Sequence, residues 1–214
     1  MTDFLETSLS TARFEAYQNL VASIGKGRSA EHLYALNLIY SKELYVVLAG
    51  LEVALRNKFH HALSGLYQTN EWYKEPKIFR NTHLEQVQKA GEKLAKIKHT
   101  FSSDDLVAEL NYGFWVHLLD KPYEQSFWNK SLRHCFPKYG QKPNRPAIEK
   151  PLRATLLLRN KIAHLEPIIK YEDTLIQEYR NIVHLLYALC PQTQEWFCRF
   201  CKFEEIWNDR YKEL

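Results

Sequence analysis

Arg159 and His164 are separated by Asn160, Lys161, Ile162 and Ala163, and between them they hold the two groups that metal-free cleavage of a phosphodiester requires. A histidine titrates near neutrality, so it can take a proton from an attacking hydroxyl or give one to a leaving oxygen. An arginine stays charged, and its fork of donors matches the non-bridging phosphate oxygens as negative charge grows on them. RNA carries a 2′-hydroxyl beside each phosphate, so the pair suits intramolecular attack. No clustered carboxylates accompany the pair to hold a metal, and no cofactor is expected. The bland reading is a surface arginine, an asparagine cap and a cationic histidine at the negative end of a helix dipole.

Spacing alone works against a shared site, because five residues on an ideal helix turn the side chain by about 140°. Pro167 changes that expectation. A proline disfavours helix at the residue before it, so the helix should end near 164–166 and free the imidazole to converge with the guanidinium.

The rest of the chain reads as nearly all helix, since apolar residues recur at three- and four-residue spacing and only seven glycines are present. Ser10 can cap a first helix to about Ala22, broken by Gly25-Lys26-Gly27. From Ser29 to about Leu66 one long helix is predicted, with a bend near Gly50. Its stripe is Leu33, Leu36, Ile39 or Tyr40, Leu44, Val47, Leu51, Leu55 and Phe59. A loop around Pro76 leads to a charged peripheral helix from Thr82 to about Lys98. Ser102 or Ser103 with Asp104 and Asp105 starts another, from Leu106 to Leu119 with an interruption at Gly113. The stretch from Pro137 to Pro151 holds four of the eight prolines and is predicted to be an irregular basic loop. A helix from Ile148 to about His164 follows, then a pair from Glu172 to Leu189 and from Pro191 onward. The expectation is a single helical domain over 1–214, with a peripheral helical insertion around 70–100.

Three segments resemble one family. Leu158-Arg159-Asn160-Lys161-Ile162-Ala163-His164-Leu165-Glu166-Pro167-Ile168 resembles the signature of the abortive-infection (Abi-like) family, a branch of the HEPN ribonucleases. Leu51-Glu52-Val53-Ala54-Leu55-Arg56-Asn57 and Glu109-Leu110-Asn111-Tyr112-Gly113-Phe114-Trp115-Val116 resemble it in the same order, over a span from about Tyr34 to Ile169. The resemblance implies an HEPN-like helical bundle and metal-independent endoribonuclease activity, in phage defence or as a toxin. It also implies a composite site where two copies meet, with Arg159, His164 and Asn160 as the catalytic positions. The family often has a second histidine where this chain has Leu165, so His164 is expected to work with its symmetry mate. Glu52 and Arg56 have the spacing of a helical ion pair worth about 0.3–0.5 kcal/mol. In the resemblance, Glu52, Arg56 and Asn57 instead line the cleft and orient Arg159 or His164. Arg56 and His61 repeat the Arg-x4-His spacing mid-helix, where the rotation argument makes them a coincidence or a remote duplication.

Lys138, Lys142, Arg145, Lys150 and Lys161 are candidates for RNA phosphate contact, with a contribution that salt weakens. The formal charge of +4 fits a polyanion partner without requiring one. Tyr112, Phe114, Trp115, Phe127, Trp128 and Phe136 could stack bases, although core packing is the ordinary role of such residues. Cys198-x-x-Cys201 with Cys190 and His184 could offer zinc ligands, but its surroundings read as helix, where cysteine packs as a small hydrophobe. No apolar run approaches the roughly 18 residues of a bilayer span, and no secretory signal is visible. The expectations are therefore a cytoplasmic homodimer, RNA rather than DNA as substrate, no membrane partner, and an RNA or protein antitoxin as restraint. A non-cleaving RNA-binding or assembly module on the same cleft is the alternative, and a purely helical interaction subunit is a third.

Overall fold

The computed structural model describes residues 7–75, 78–140 and 143–212. Among them the fold is all-α, with no strand. The helices are α1 (Thr11–Ile24), α2 (Ala30–Tyr67), α3 (Asn81–Ile97), α4 (Ser103–Glu109), α5 (Tyr112–His117), α6 (Arg145–Ala163), α7 (Glu172–Leu189), α8 (Pro191–Cys198) and α9 (Phe203–Asp209). Short 3-10 and π turns join several of them.

The organising element is α2, 38 residues and therefore about 57 Å long. The Ser29 hydroxyl accepts from the His32 amide at 3.3 Å and starts it; Gln68, in the left-handed region at φ 57°, ends it. Leu33, Leu36, Tyr40, Leu44, Val47, Leu51, Leu55 and Phe59 are all buried, with Tyr40 rather than Ile39 completing the stripe. Helices α1, α5, α6, α7, α8 and α9 pack along it. The helix runs through Gly50 unbroken. The glycine serves close approach instead, because a methyl group there would lie 2.7 Å from the Phe197 ring of α8. Arg28 locks the start of α2 to α7, donating from both terminal nitrogens to the Glu172 carboxylate at 2.8 Å, from Nη2 to the Ile24 carbonyl and from Nε to the Gly25 carbonyl.

Several boundaries depart from expectation. Ser10 precedes α1 at φ 70° without capping it through its side chain. The break before Leu119 falls at Leu110–Asn111, not at Gly113, because Asn111 accepts from the Phe114 amide at 2.9 Å and begins a new helix. The C-terminal segment divides once more, between Cys198 and Phe203.

The largest correction concerns the proline-rich stretch, whose second half is helical from Arg145. Asn144 caps α6 by accepting from the Ala147 amide at 2.9 Å. Pro146 occupies the first turn, where a missing N–H costs nothing. Pro151 lies inside the helix and cannot donate to the carbonyl four residues back, that of Ala147. The Tyr139 hydroxyl takes over that role, donating to the Ala147 carbonyl at 2.8 Å.

No helix among the described residues is long and apolar enough to cross a membrane. Helix α3 leans mainly on α4, and its buried face is thin: His83, Ala90 and Leu94.

Candidate active site at the end of helix six

Helix α6 ends at Ala163, with His164 as its cap. The Leu165 amide donates to the Ile162 carbonyl at 3.0 Å and the Glu166 amide to the Lys161 carbonyl at 2.9 Å. These two bonds form a Schellman motif, in which the residue after the cap is left-handed and usually glycine. Leu165 takes that place at φ 56° and leaves 58% of its surface exposed. The chain therefore turns out directly behind His164, whose side chain is exposed and makes no hydrogen bond among the described residues.

One turn back, Arg159 is partly buried. Its Nε donates to Glu52 Oε2 of α2 at 3.3 Å, and its Nη1 to Asn160 Oδ1 at 3.5 Å. Glu52 thus pairs with Arg159 rather than with Arg56. Both partners are about a third to a quarter exposed, so the pair contributes at most about 1 kcal/mol to stability. Its consequence is orientation: Glu52 and Asn160 hold the guanidinium through Nε and Nη1, and Nη2 makes no hydrogen bond among the described residues.

Arg159 and Asn160 line a cleft of about 390 Å³ with Gln86, Asn111, Tyr112 and His117. Its floor is rigid. The Thr155 hydroxyl gives its proton to the Leu152 carbonyl at 2.8 Å, so Tyr112 is the donor in its own 2.8 Å contact with Thr155. Burial pushes the Tyr112 hydroxyl well above the ordinary phenol range, and it stays protonated. His117 had drawn no attention from sequence, yet its Nδ1 lies 3.4 Å from Asp120, which receives Arg153 at 2.5 Å. The signal was the three-residue step between His117 and Asp120.

His164 does not line the Arg159 cleft. Arg56 and Asn57 do not either: Arg56 Nε donates to Asn57 Oδ1 at 3.3 Å, and both face a neighbouring cleft. The structure brings together Arg159, Asn160 and Glu52, and leaves His164 on the adjoining surface. Lys161 is there too, with its ammonium 3.9 Å from the Tyr171 ring centre and that of Lys170 4.9 Å from it. These two lysines hold the Tyr171 hydroxyl below its ordinary pKa.

Among the basic-loop candidates, Arg145 is corrected. It is 7% exposed; its Nη1 donates to Glu149 and to the Leu119 carbonyl, and its Nε lies 3.4 Å from the Glu124 carboxylate. Lys150 stands exposed on α6, not in a loop, and Lys138 is exposed before it. Lys142 lies outside the described residues. Tyr112, Phe114, Trp115, Phe127, Trp128 and Phe136 are all buried in the core, which leaves none of them a face for a base. His184, Cys190, Cys198 and Cys201 do not gather: among the described residues no group of three His, Cys, Asp or Glu side chains is placed to hold a metal ion. Burial raises the Cys201 thiol to about 11, which fits packing rather than ligation.

No protein-family model, curated protein or solved structure matches this chain.

Proposed function

We propose that the chain is a metal-independent endoribonuclease of the HEPN type, cleaving RNA by 2′-hydroxyl attack and working in phage defence or as a toxin. The observation that carries the reading is the division of labour at the end of α6. Glu52 fixes the Arg159 guanidinium at a cleft, while His164 stands exposed one turn on, held out by the Schellman turn at Leu165. Within one chain the two groups do not share a cleft. A second copy supplying its own His164 completes the pair, which is the composite arrangement the Abi-like resemblance implies.

In that arrangement the histidine takes the 2′-hydroxyl proton or protonates the 5′-oxygen as it leaves. Arg159 donates to the non-bridging oxygens as charge builds on phosphorus. The products are a 2′,3′-cyclic phosphate and a 5′-hydroxyl. Lys161 and Lys170, gathered on Tyr171 beside His164, offer positive charge to the flanking strand.

The deciding experiment incubates wild-type, His164→Ala and Arg159→Gln protein with RNA in EDTA. Both variants are expected to lose cleavage, by a hundredfold or more, and equal cleavage by all three would sink the assignment. RNA bound tightly but left intact by the wild type would instead make the chain a binding module. Sedimentation tests the composite site, which a fully active monomer at micromolar concentration refutes.

A further inference from the structure

The cleft beside the Arg159 site is lined by Arg56, Asn57, His60 and His61 of α2 and by Asp104 and Val107 of α4, and encloses about 280 Å³. The 140° step between Arg56 and His61 does not separate them here, because α4 closes the space between their directions.

The hydrogen bonds of His60 fix its chemistry. An indole N–H can only donate, and Trp72 Nε1 donates to His60 Nδ1 at 3.1 Å. The proton of the neutral ring therefore sits on Nε2. Protonation of both nitrogens would break the Trp72 bond, and burial favours the neutral ring as well. His60 is 94% buried, being 6% exposed. Its Nε2 is not a sealed atom and no described residue accepts from it, so the N–H opens onto the cleft. Arg56 is equally uncommitted. It donates only from Nε to Asn57, and its terminal nitrogens have no acid partner among the described residues, since Glu52 is taken by Arg159. Asp104 on the opposite wall is exposed. The cleft thus sets a guanidinium and an imidazole N–H against one acceptor carboxylate.

We propose that this cleft binds a ribose phosphate, with phosphate oxygens accepting from Arg56 and His60 Nε2 and a ribose hydroxyl donating to Asp104. As a subsite for the RNA strand it rests on the ribonuclease reading. Glu52 and Arg56 are one helical turn apart on α2, a rise of about 6 Å, so a strand whose scissile phosphate meets Arg159 passes Arg56 next. The same chemistry would recognise a free mononucleotide, and experiment separates the two sources. Asp104 makes the cleft a reader of RNA over DNA, because a deoxyribose offers it no 2′-hydroxyl.

The test follows the histidine ring resonances of the full chain carrying His164→Ala, so that RNA stays whole. The probes are ribose 5-phosphate, 2-deoxyribose 5-phosphate and an RNA pentamer. Ribose 5-phosphate is expected to move the His60 and His61 signals, with the deoxy probe about tenfold weaker. Arg56→Gln should weaken binding about tenfold or more. Asp104→Ala, at an exposed position, should abolish the preference for ribose. A pentamer that binds more tightly than ribose 5-phosphate assigns the cleft to the RNA strand, and equal affinity assigns it to a free nucleotide. His60 and His61 signals unmoved by all three probes, or shifts that survive Arg56→Gln unchanged, overturn the proposal. Its failure is distinct from that of the nuclease reading: a flat titration beside intact His164-dependent cleavage removes only this cleft.

Discussion

Leu165 provides a measurement of strain at the candidate site. Its left-handed backbone at φ 56° costs a residue with a Cβ about 1–2 kcal/mol, whereas glycine adopts it freely but loses about 0.5–1 kcal/mol through the greater freedom of its unfolded chain. Comparing Leu165→Gly with the wild type mixes this with the loss of a side chain that is 42% covered, being 58% exposed. Comparing Leu165→Gly with Leu165→Ala cancels the side-chain loss. The glycine variant should then be the more stable of the two by about 0.75 kcal/mol, or about 2 °C in Tm for a chain of this size. The sign is the diagnostic, because at an ordinary helix position glycine is worse than alanine by about 1 kcal/mol. Thermal unfolding of both variants by circular dichroism reads it. An alanine variant equal to or more stable than the glycine variant would refute the Schellman geometry, and with it the account of why His164 is held out from the helix.

Three further outcomes follow from the contacts. Glu52→Gln should change Tm by less than about 4 °C, since the pair is partly exposed, while lowering kcat for RNA cleavage about tenfold to a hundredfold by freeing the guanidinium; an unaltered kcat removes the orienting role. Tyr139→Phe should cost about 1–3 kcal/mol in the wild type by orphaning the Ala147 carbonyl, and much less in Pro151→Ala, where the restored N–H can serve it. Additive losses in denaturant unfolding would show that Tyr139 does not stand in for the missing amide. Burial pushes the Glu172 carboxyl up, but Arg28 and Tyr40 outweigh it and hold the group below its ordinary range. A depressed folded pKa means stability that is present above the unfolded value of about 4.3 and lost as pH falls below it. The Tm of the wild type should therefore drop more steeply below about pH 4.3 than that of Arg28→Met/Glu172→Met, and parallel curves would refute the linkage.

The long helix and the end of α6 were legible because each depends on local rules. The stripe of α2 keeps one face apolar over about seven turns, and α6 ends before Pro167 within a residue or two of the expected place. The start of α6 was not legible, because the prolines at 146 and 151 argue against helix and the compensating donor, Tyr139, comes from outside the helix. Arg145 was misplaced for a related reason. Its positive charge reads as surface in sequence, and only the fold shows Glu149, Glu124 and the Leu119 carbonyl closing around it.

The candidate site shows the same division between local and non-local information. Arg159 and Asn160 could be named from spacing together with the Abi-like resemblance, but the residues that share their cleft come from α3 and α5, and nothing in the 159–164 segment points to His117 or Gln86. The rotation argument also had a limited reach. It describes directions around one helix axis, and within a chain it outlasts the end of the helix: Pro167 was expected to let His164 converge on Arg159, but the two do not share a cleft. For Arg56 and His61 it fails, because a second helix, α4, supplies the wall that makes divergent side chains line one space. Whether two groups on a helix can cooperate is decided by what packs between their directions. At Arg56 that is another part of the same chain; at His164, which stands exposed among the described residues, the proposed site makes it a second copy.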